Sequence, residues 1–187
     1  MPPKTKISKA MIEDAGIVFV RANGPDKITA QAIAKQLHCS TQPIMYHFKK
    51  VEDLRKAIIA KADAYHSAYL MNIQGENIMM EIGLNYITFA KEEPNLFRLL
   101  FQSNNFAKKT LQNEFDSDAL VNLLEIFSKE ANITMSQAKR VFKALFLVVH
   151  GYASMFANNA LEDHEDTIRK DLEFIYEGMM NKLKEEP

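Results

Sequence analysis

The chain has no tryptophan and a single cysteine, Cys39. One thiol cannot build an internal disulfide framework or a cysteine-based zinc site. Glycine and proline supply only six residues each, and no low-complexity tract occurs, which sets aside fibrous and disordered classes. The longest strictly apolar run, Ala144 to Val149, is six residues, far short of a membrane span. The opening MPPKTKISK is basic but has neither an apolar stretch nor a small-residue cleavage site, so no secretory signal is visible. No nucleophile–base pair, glycine-rich phosphate loop or paired-carboxylate motif stands out. The expectation is a non-enzyme that needs no cofactor and no metal, cytoplasmic and without a membrane partner.

What is present is more informative. Hydrophobic residues make up 47% of 187 positions, enough for one sizeable core or for a small domain joined to a larger one. The net charge of −1 hides a division. Residues 1–62 carry eleven Lys and Arg against five Asp and Glu, a charge of +6, and the remainder carries −7. Such asymmetry points to a polyanionic partner at one end.

Helical periodicity with start and stop residues recurs throughout, and the expected class is all-α with about nine helices. Ser8 suits the N-cap of a first helix with Met11, Ala15, Val18 and Ala22 on one stripe and Ile12 and Phe19 beside it. Asn23-Gly24-Pro25 ends it. Thr29 caps a short helix burying Ile33 and Leu37, His38-Cys39 turns, and Ser40 opens a third. A fourth runs from near Glu52 through Leu54, Ile58, Ala62, Tyr65 and Tyr69. Ile78, Ile82, Tyr86 and Phe89 share a face of a fifth, which ends near Pro94, and Asn95 to Gln102 forms a further short one. Asp116 or Ser117 caps the next. Thr134 to Gln137 is a capping box opening the longest apolar helix, with Ala138, Phe142, Leu145, Val149, Tyr152 and Phe156 on one stripe and Val141, Val148 and Met155 on another. The last helix aligns Ile168, Leu172, Ile175, Met179 and Leu183, with acids at its start and Lys182 and Lys184 at its end. The acidic run from Glu162 to Asp166 reads as that solvated start, since consecutive residues cannot converge on one ion without a special loop.

Two short helices joined by a tight turn in a basic segment are the pattern of a helix-turn-helix. Its second helix enters the major groove with N-terminal residues toward base edges and phosphates. Here those residues are Ser40, Thr41 and Gln42, followed by Tyr46, His47, Lys49 and Lys50. Hydroxyl and amide groups suit bases and phosphates, and lysines neutralise phosphate. Pro43 falls in the first turn, where its missing N–H costs nothing, and the Ser40 oxygen is then expected to cap the Gln42 amide.

Residues 8–56 resemble the DNA-binding domain of the TetR family of bacterial transcriptional regulators, with Ile12, Ala15, Phe19, Gly24, Thr29, Ile33, Ala34, Ser40, His47, Phe48, Glu52 and Leu54 in register with its pattern. Cys39 and Ile44 stand for the usual Val and Leu. His38 replaces the turn Gly, Met45 the Tyr that commonly touches a phosphate, and Lys50 and Val51 a frequent Ser cap and Lys. The resemblance implies DNA contacts at Thr29, Ser40 and His47. Tyr86 to Ala90, with Pro94, Leu96 and Phe97, resembles the ligand-binding domain of a TetR subgroup named for a Trp-His-Gly signature, of which this chain has His150-Gly151.

The organisation implied is a DNA-binding domain over residues 1–50, a connecting helix over 51–75, and a ligand-binding and dimerisation domain over 76–187. Ligand candidates are Tyr86, Phe89, Phe97, Phe101, Phe127, Phe146 and His150. Met and aromatic residues adapt to irregular shapes, and each is also an ordinary core residue. His150 has two readings, a ligand or proton sensor and a buried histidine with a structural hydrogen bond. The second apolar stripe of the long helix points to a partner surface, which the family resemblance makes a homodimer through the last two helices. The function implied is a ligand-responsive repressor that leaves a pseudo-palindromic double-stranded DNA operator when a small molecule binds. The alternative is a helical ligand-binding or protein-interaction module with a weakened or lost DNA reader.

Overall fold

The structure is a computed structural model, and it describes residues 7–75, 77–103, 118–159, 161 and 164–185. Among the described residues there are nine α-helices, one 3-10 turn and no strand. The helices are α1 (Lys9–Asn23), α2 (Ala30–Gln36), α3 (Gln42–His47), α4 (Val51–Leu70), α5 (Ile78–Glu92), α6 (Pro94–Phe101), α7 (Asp118–Glu130), α8 (Met135–Asn158) and α9 (Glu165–Lys184). The expected caps at Asp116 or Ser117 lie outside the described residues, as do Glu162 and Asp163 of the acidic run.

The chain divides into two compact units, Met1–Ala68 with Glu93–Asn105, and Tyr69–Glu92 with Phe106–Pro187. These units follow packing rather than chain order: α6 joins the N-terminal helices although it follows α5.

In the first unit the Ser8 hydroxyl accepts from the Met11 amide at 3.2 Å and starts α1. Gly24 ends the helix at φ +82° and ψ 169°, a backbone region essentially reserved for glycine. The core draws on Ile12, Val20, Ile33, Ile44, Leu54, Ile58, Leu96, Phe97 and Leu99, all sealed from solvent. Each buried aliphatic side chain contributes about 1.5–3 kcal/mol. The expected stripe of α1 is rotated: Met11 and Val18 are exposed, and Ile12, Ala15, Gly16, Ile17 and Val20 face inward. Helices α2, α3 and α6 close on α1, and Ile58 of α4 meets Gly16, so its buried arc lies where its neighbours are, on the side of Ile12. In α4 the buried series is Leu54, Ile58, Ala62 and His66, a strict four-residue spacing. Tyr65 is exposed instead, since its hydroxyl serves an ionic cluster described below.

In the second unit α8 packs against α5, α7 and α9. The capping box is formed: the Thr134 hydroxyl accepts from the Gln137 amide at 3.2 Å, and Gln137 Oε1 accepts from the Thr134 amide at 2.9 Å. By length and composition alone, α8 would be long and apolar enough to cross a membrane. Its inward residues Ala138, Val141, Leu145, Val149, Ala153 and Phe156 use that apolarity in the bundle core. Val141 therefore belongs to the core and not to an outer stripe. On α5 burial extends nearly all round, through Met79, Met80, Gly83, Leu84, Tyr86, Ile87, Phe89 and Ala90, whereas Ile78 and Ile82 are only half-buried. Glu165 and Asp166 open α9, and Lys182 and Lys184 close it, as the helix dipole favours.

Candidate nucleic-acid interface and aromatic cluster

Thr29 starts α2 by accepting from the Ala32 amide at 3.1 Å. The turn after α2 is a Schellman motif: the Cys39 amide donates to the Ala34 carbonyl at 3.0 Å and the His38 amide to the Lys35 carbonyl at 3.1 Å. His38 holds the left-handed position at φ +51°, where glycine is usual. Asn132 repeats the device after α7, also at φ +51°, with the Ile133 amide donating to the Ser128 carbonyl at 3.0 Å. Local hydrogen bonds thus tolerate a side chain at a strained position in both turns.

The third helix starts later than its sequence suggests. Thr41 stands at the N-cap in helical conformation, without a side-chain cap, and Pro43 lies in the first turn. The expected cap from Ser40 to the Gln42 amide is replaced by this tighter entry. Ile44 anchors α3 in the core with no exposure. Around it Ser40, Gln42, Met45, Tyr46, Lys49 and Lys50 are exposed, and Thr41, Pro43 and His47 are half-buried. Thr29 is exposed at the start of α2. Lys49 Nζ sits 5.7 Å from the centre of the Tyr46 ring, a cation–π contact that leaves the ammonium near solvent. A shallow open depression is lined by Ile7, Met11, Leu37, Cys39, Pro43 and His47 among others. His47 Nε2 donates to the Ile7 carbonyl at 3.0 Å, across forty positions of sequence.

An ionic cluster braces the same unit. Arg21 donates to both Glu93 carboxylate oxygens, Tyr65 OH donates to Glu93 Oε1 at 3.3 Å, and Asn95 Nδ2 donates to the Arg21 carbonyl at 2.8 Å. The hydrogen bond to Glu93 holds the Arg21 guanidinium above its already high value. Neither this cluster nor the buried His66 is among the expectations from sequence. A signal for His66 exists there, because it continues the four-residue series of Leu54, Ile58 and Ala62. Burial pushes its pKa down to about 4.

Of the seven ligand candidates, Tyr86, Phe89, Phe127, Phe146 and His150 lie in the second unit, and Phe97 and Phe101 in the first. Tyr86, Phe146 and His150 come together: Tyr86 OH lies 2.9 Å from His150 Nδ1, and the Phe146 and His150 rings stack at 5.6 Å. Burial raises the Tyr86 pKa, so the phenol keeps its proton, and burial lowers that of His150. That is the structural hydrogen bond of one of the two readings of His150. Phe127 lies apart from this group, in the core cluster with Leu124 and Val141. Phe97 and Phe101 pair with each other at 5.0 Å, and Phe101 meets His66 edge-on at 5.1 Å. Among the described residues no group of His, Cys, Asp and Glu is placed to hold a metal ion.

No protein-family model matches the chain. It is 20% identical, over 173 residues, to the uncharacterized HTH-type transcriptional regulator YobS of Bacillus subtilis (strain 168), an alignment covering 90% of this chain and 88% of that one. Among solved structures, TetR of Acinetobacter baumannii AYE superposes with a TM-score of 0.58 at 15% identity, over 96% of this chain and 98% of that one. A TetR variant from the same organism, in complex with minocycline, superposes at 0.60 and 16% over the same shares. The fold is that of TetR.

Proposed function

We propose that the chain is a cytoplasmic regulator of the TetR type, a homodimeric repressor that leaves a pseudo-palindromic operator when a small molecule occupies its C-terminal unit. One observation carries this reading. A helix-turn-helix in a segment of charge +6 turns Gln42, Tyr46, Lys49 and Lys50 outward around a helix locked to its core by Ile44. The likeness to YobS supports a transcriptional role, and the minocycline complex of the TetR variant supports a small-molecule effector. Tyr86, Phe146 and His150 would form the start of an effector site, and His150-Gly151 is the residue pair behind the subgroup reading.

Dimerisation draws support from the outer faces of α8 and α9. Leu147, Gly151 and Met155 are exposed at four-residue spacing on α8, and Phe174 is 80% exposed on α9 with Gly178 one turn on. Such a stripe is suited to burial against a second copy. Two reading helices would then enter successive major grooves about 34–36 Å apart. An effector coupling of about 1–3 kcal/mol would loosen the operator roughly 5–150-fold, and DNA would weaken effector binding equally.

The test is an electrophoretic titration against the DNA upstream of its own gene at two salt concentrations, with scrambled DNA as control. Sequence-dependent affinity is expected, and equal affinity for both fragments would overturn the reading. A second reading, a module with a decayed reader, is favoured by Met45 on the reading helix and Val51 at the start of α4, apolar side chains exposed at 40% and 37%. Replacing Gln42 and Lys49 by Ala separates the two: a regulator loses DNA binding with its fold intact, and a decayed module has none to lose.

A further inference from the structure

We propose that Met45 reads a base: its thioether packs on the 5-methyl group of a thymine in the major groove, beside the base pair met by Gln42. The inference rests on the regulator reading above and names part of the operator sequence which that reading leaves open. Ile44, with no exposure, and Phe48, at 4%, fix the inward side of α3 and its end, and so fix what faces out. Successive residues of an α-helix turn by about 100°, which sets Met45, Gln42 and Tyr46 on one arc of about 100° directed away from Ile44. All three are exposed, Met45 at 40% and Tyr46 at 69%.

A thioether has no hydrogen to donate and accepts only weakly, so Met45 is unsuited to a phosphate. Its flexible, polarizable chain is suited to an apolar group. The thymine methyl is the apolar group that base pairs present in the major groove, and contact with it tells T·A from the other pairs. The surroundings of Met45 point to a duplex and not to a protein partner. Gln42 interrupts the apolar surface between Met45 and Tyr46, Lys49 Nζ lies 5.7 Å from the centre of the Tyr46 ring, and residues 1–62 carry +6. An apolar partner face would desolvate that amide and that ammonium, whereas a groove flanked by phosphates complements both. Met45 stands three residues beyond Gln42, about 4.5 Å along the helix axis, on the scale of the step of about 3.4 Å between bases of one strand. The two side chains therefore address neighbouring base pairs. The exposure that marks decay in a module is the means of reading in a regulator.

The experiment titrates the full-length protein against two syntheses of the fragment upstream of its own gene, one with thymine and one with uracil throughout. Uracil lacks the methyl group and keeps the pairing edge. Burying one such group is worth about fourfold in affinity, so the wild-type protein should bind the uracil fragment about fourfold more weakly per methyl contacted. For the two readers of a dimer the loss should be about fifteenfold. Met45→Ala should lose a similar factor on thymine DNA and bind both fragments alike, which closes a double-mutant cycle between side chain and methyl. Met45→Leu, an apolar side chain of like size, should keep most of the discrimination. Each protein is its own reference in the thymine-to-uracil ratio, so a change in folded fraction cancels. The slope of log affinity against log salt should be the same in all three proteins, because no phosphate contact changes. A wild-type protein indifferent to the methyl groups, or a thymine preference of equal size in Met45→Ala, overturns the assignment and leaves the regulator reading standing. A shallower salt slope in Met45→Ala also overturns it, by placing Met45 at the backbone. A wild-type protein without preference for its upstream fragment over scrambled thymine DNA overturns both readings.

Discussion

Arg21 reaches Glu93, seventy-two positions away, with a two-point grip: Nε donates to Oε2 at 2.9 Å and Nη2 to Oε1 at 2.6 Å. The guanidinium also lies 5.1 Å from the centre of the Tyr65 ring. One residue thereby ties the end of α1 to the start of α6 and to the side of α4, and explains why α6 belongs to the N-terminal unit. Glu93 is the better buried partner, with 14% of its side chain exposed against 40% for Arg21. Removing Arg21 leaves a largely desolvated carboxylate behind.

Arg21→Ala should accordingly lower unfolding free energy by about 1–2 kcal/mol, and Arg21→Lys should recover only part of this, since an ammonium cannot grip both oxygens. Urea denaturation midpoints at fixed slope measure it. A change within about 0.3 kcal/mol would mean that solvent screens the pair into insignificance.

Gly16 is a packing glycine. A methyl added there would lie 2.5 Å from Ile58 Cγ1 and Cδ1, and Ile58 is fully buried. Alanine favours an α-helix over glycine by about 1 kcal/mol, yet overpacking costs about 1–3 kcal/mol, so Gly16→Ala should destabilise on balance. Adding Ile58→Ala should cost less than the sum of the two single changes, which a double-mutant cycle checks. Strict additivity would place the cost elsewhere.

His66 should make the first unit acid-sensitive. Its folded pKa, about 4, lies below the ordinary 6.5, so between those values the unfolded chain binds a proton that the folded chain refuses. Stability contributed by the neutral ring is present above pH 6.5 and is lost as pH falls toward 4. By pH 5 the loss should be about 2 kcal/mol. His66→Leu should flatten the fall in stability from pH 7 to 5, and an unaltered slope in urea titrations across that range would refute the assignment.

Phe174 should control self-association. Phe174→Glu places a charge at the most exposed aromatic of α9, and the protein should sediment at half the wild-type mass with its helix content retained. A wild-type protein that is already monomeric at micromolar concentration would contradict the dimer.

The sequence by itself determined the helical class, because apolar spacing and caps are local: Ser8, Thr29 and Thr134 cap where their positions predict. It also placed the helix-turn-helix, whose residues lie within a few turns of one another. It did not show which side of α1 is buried, since Met11 and Ile12 are equally apolar and only the neighbouring helices choose between them. Nor did it show that α6 packs with α1 or that His47 grips Ile7. Each of these joins residues far apart in the chain, and contacts at that separation are selected by packing and by the need of buried polar groups for partners, neither of which leaves a period in the sequence.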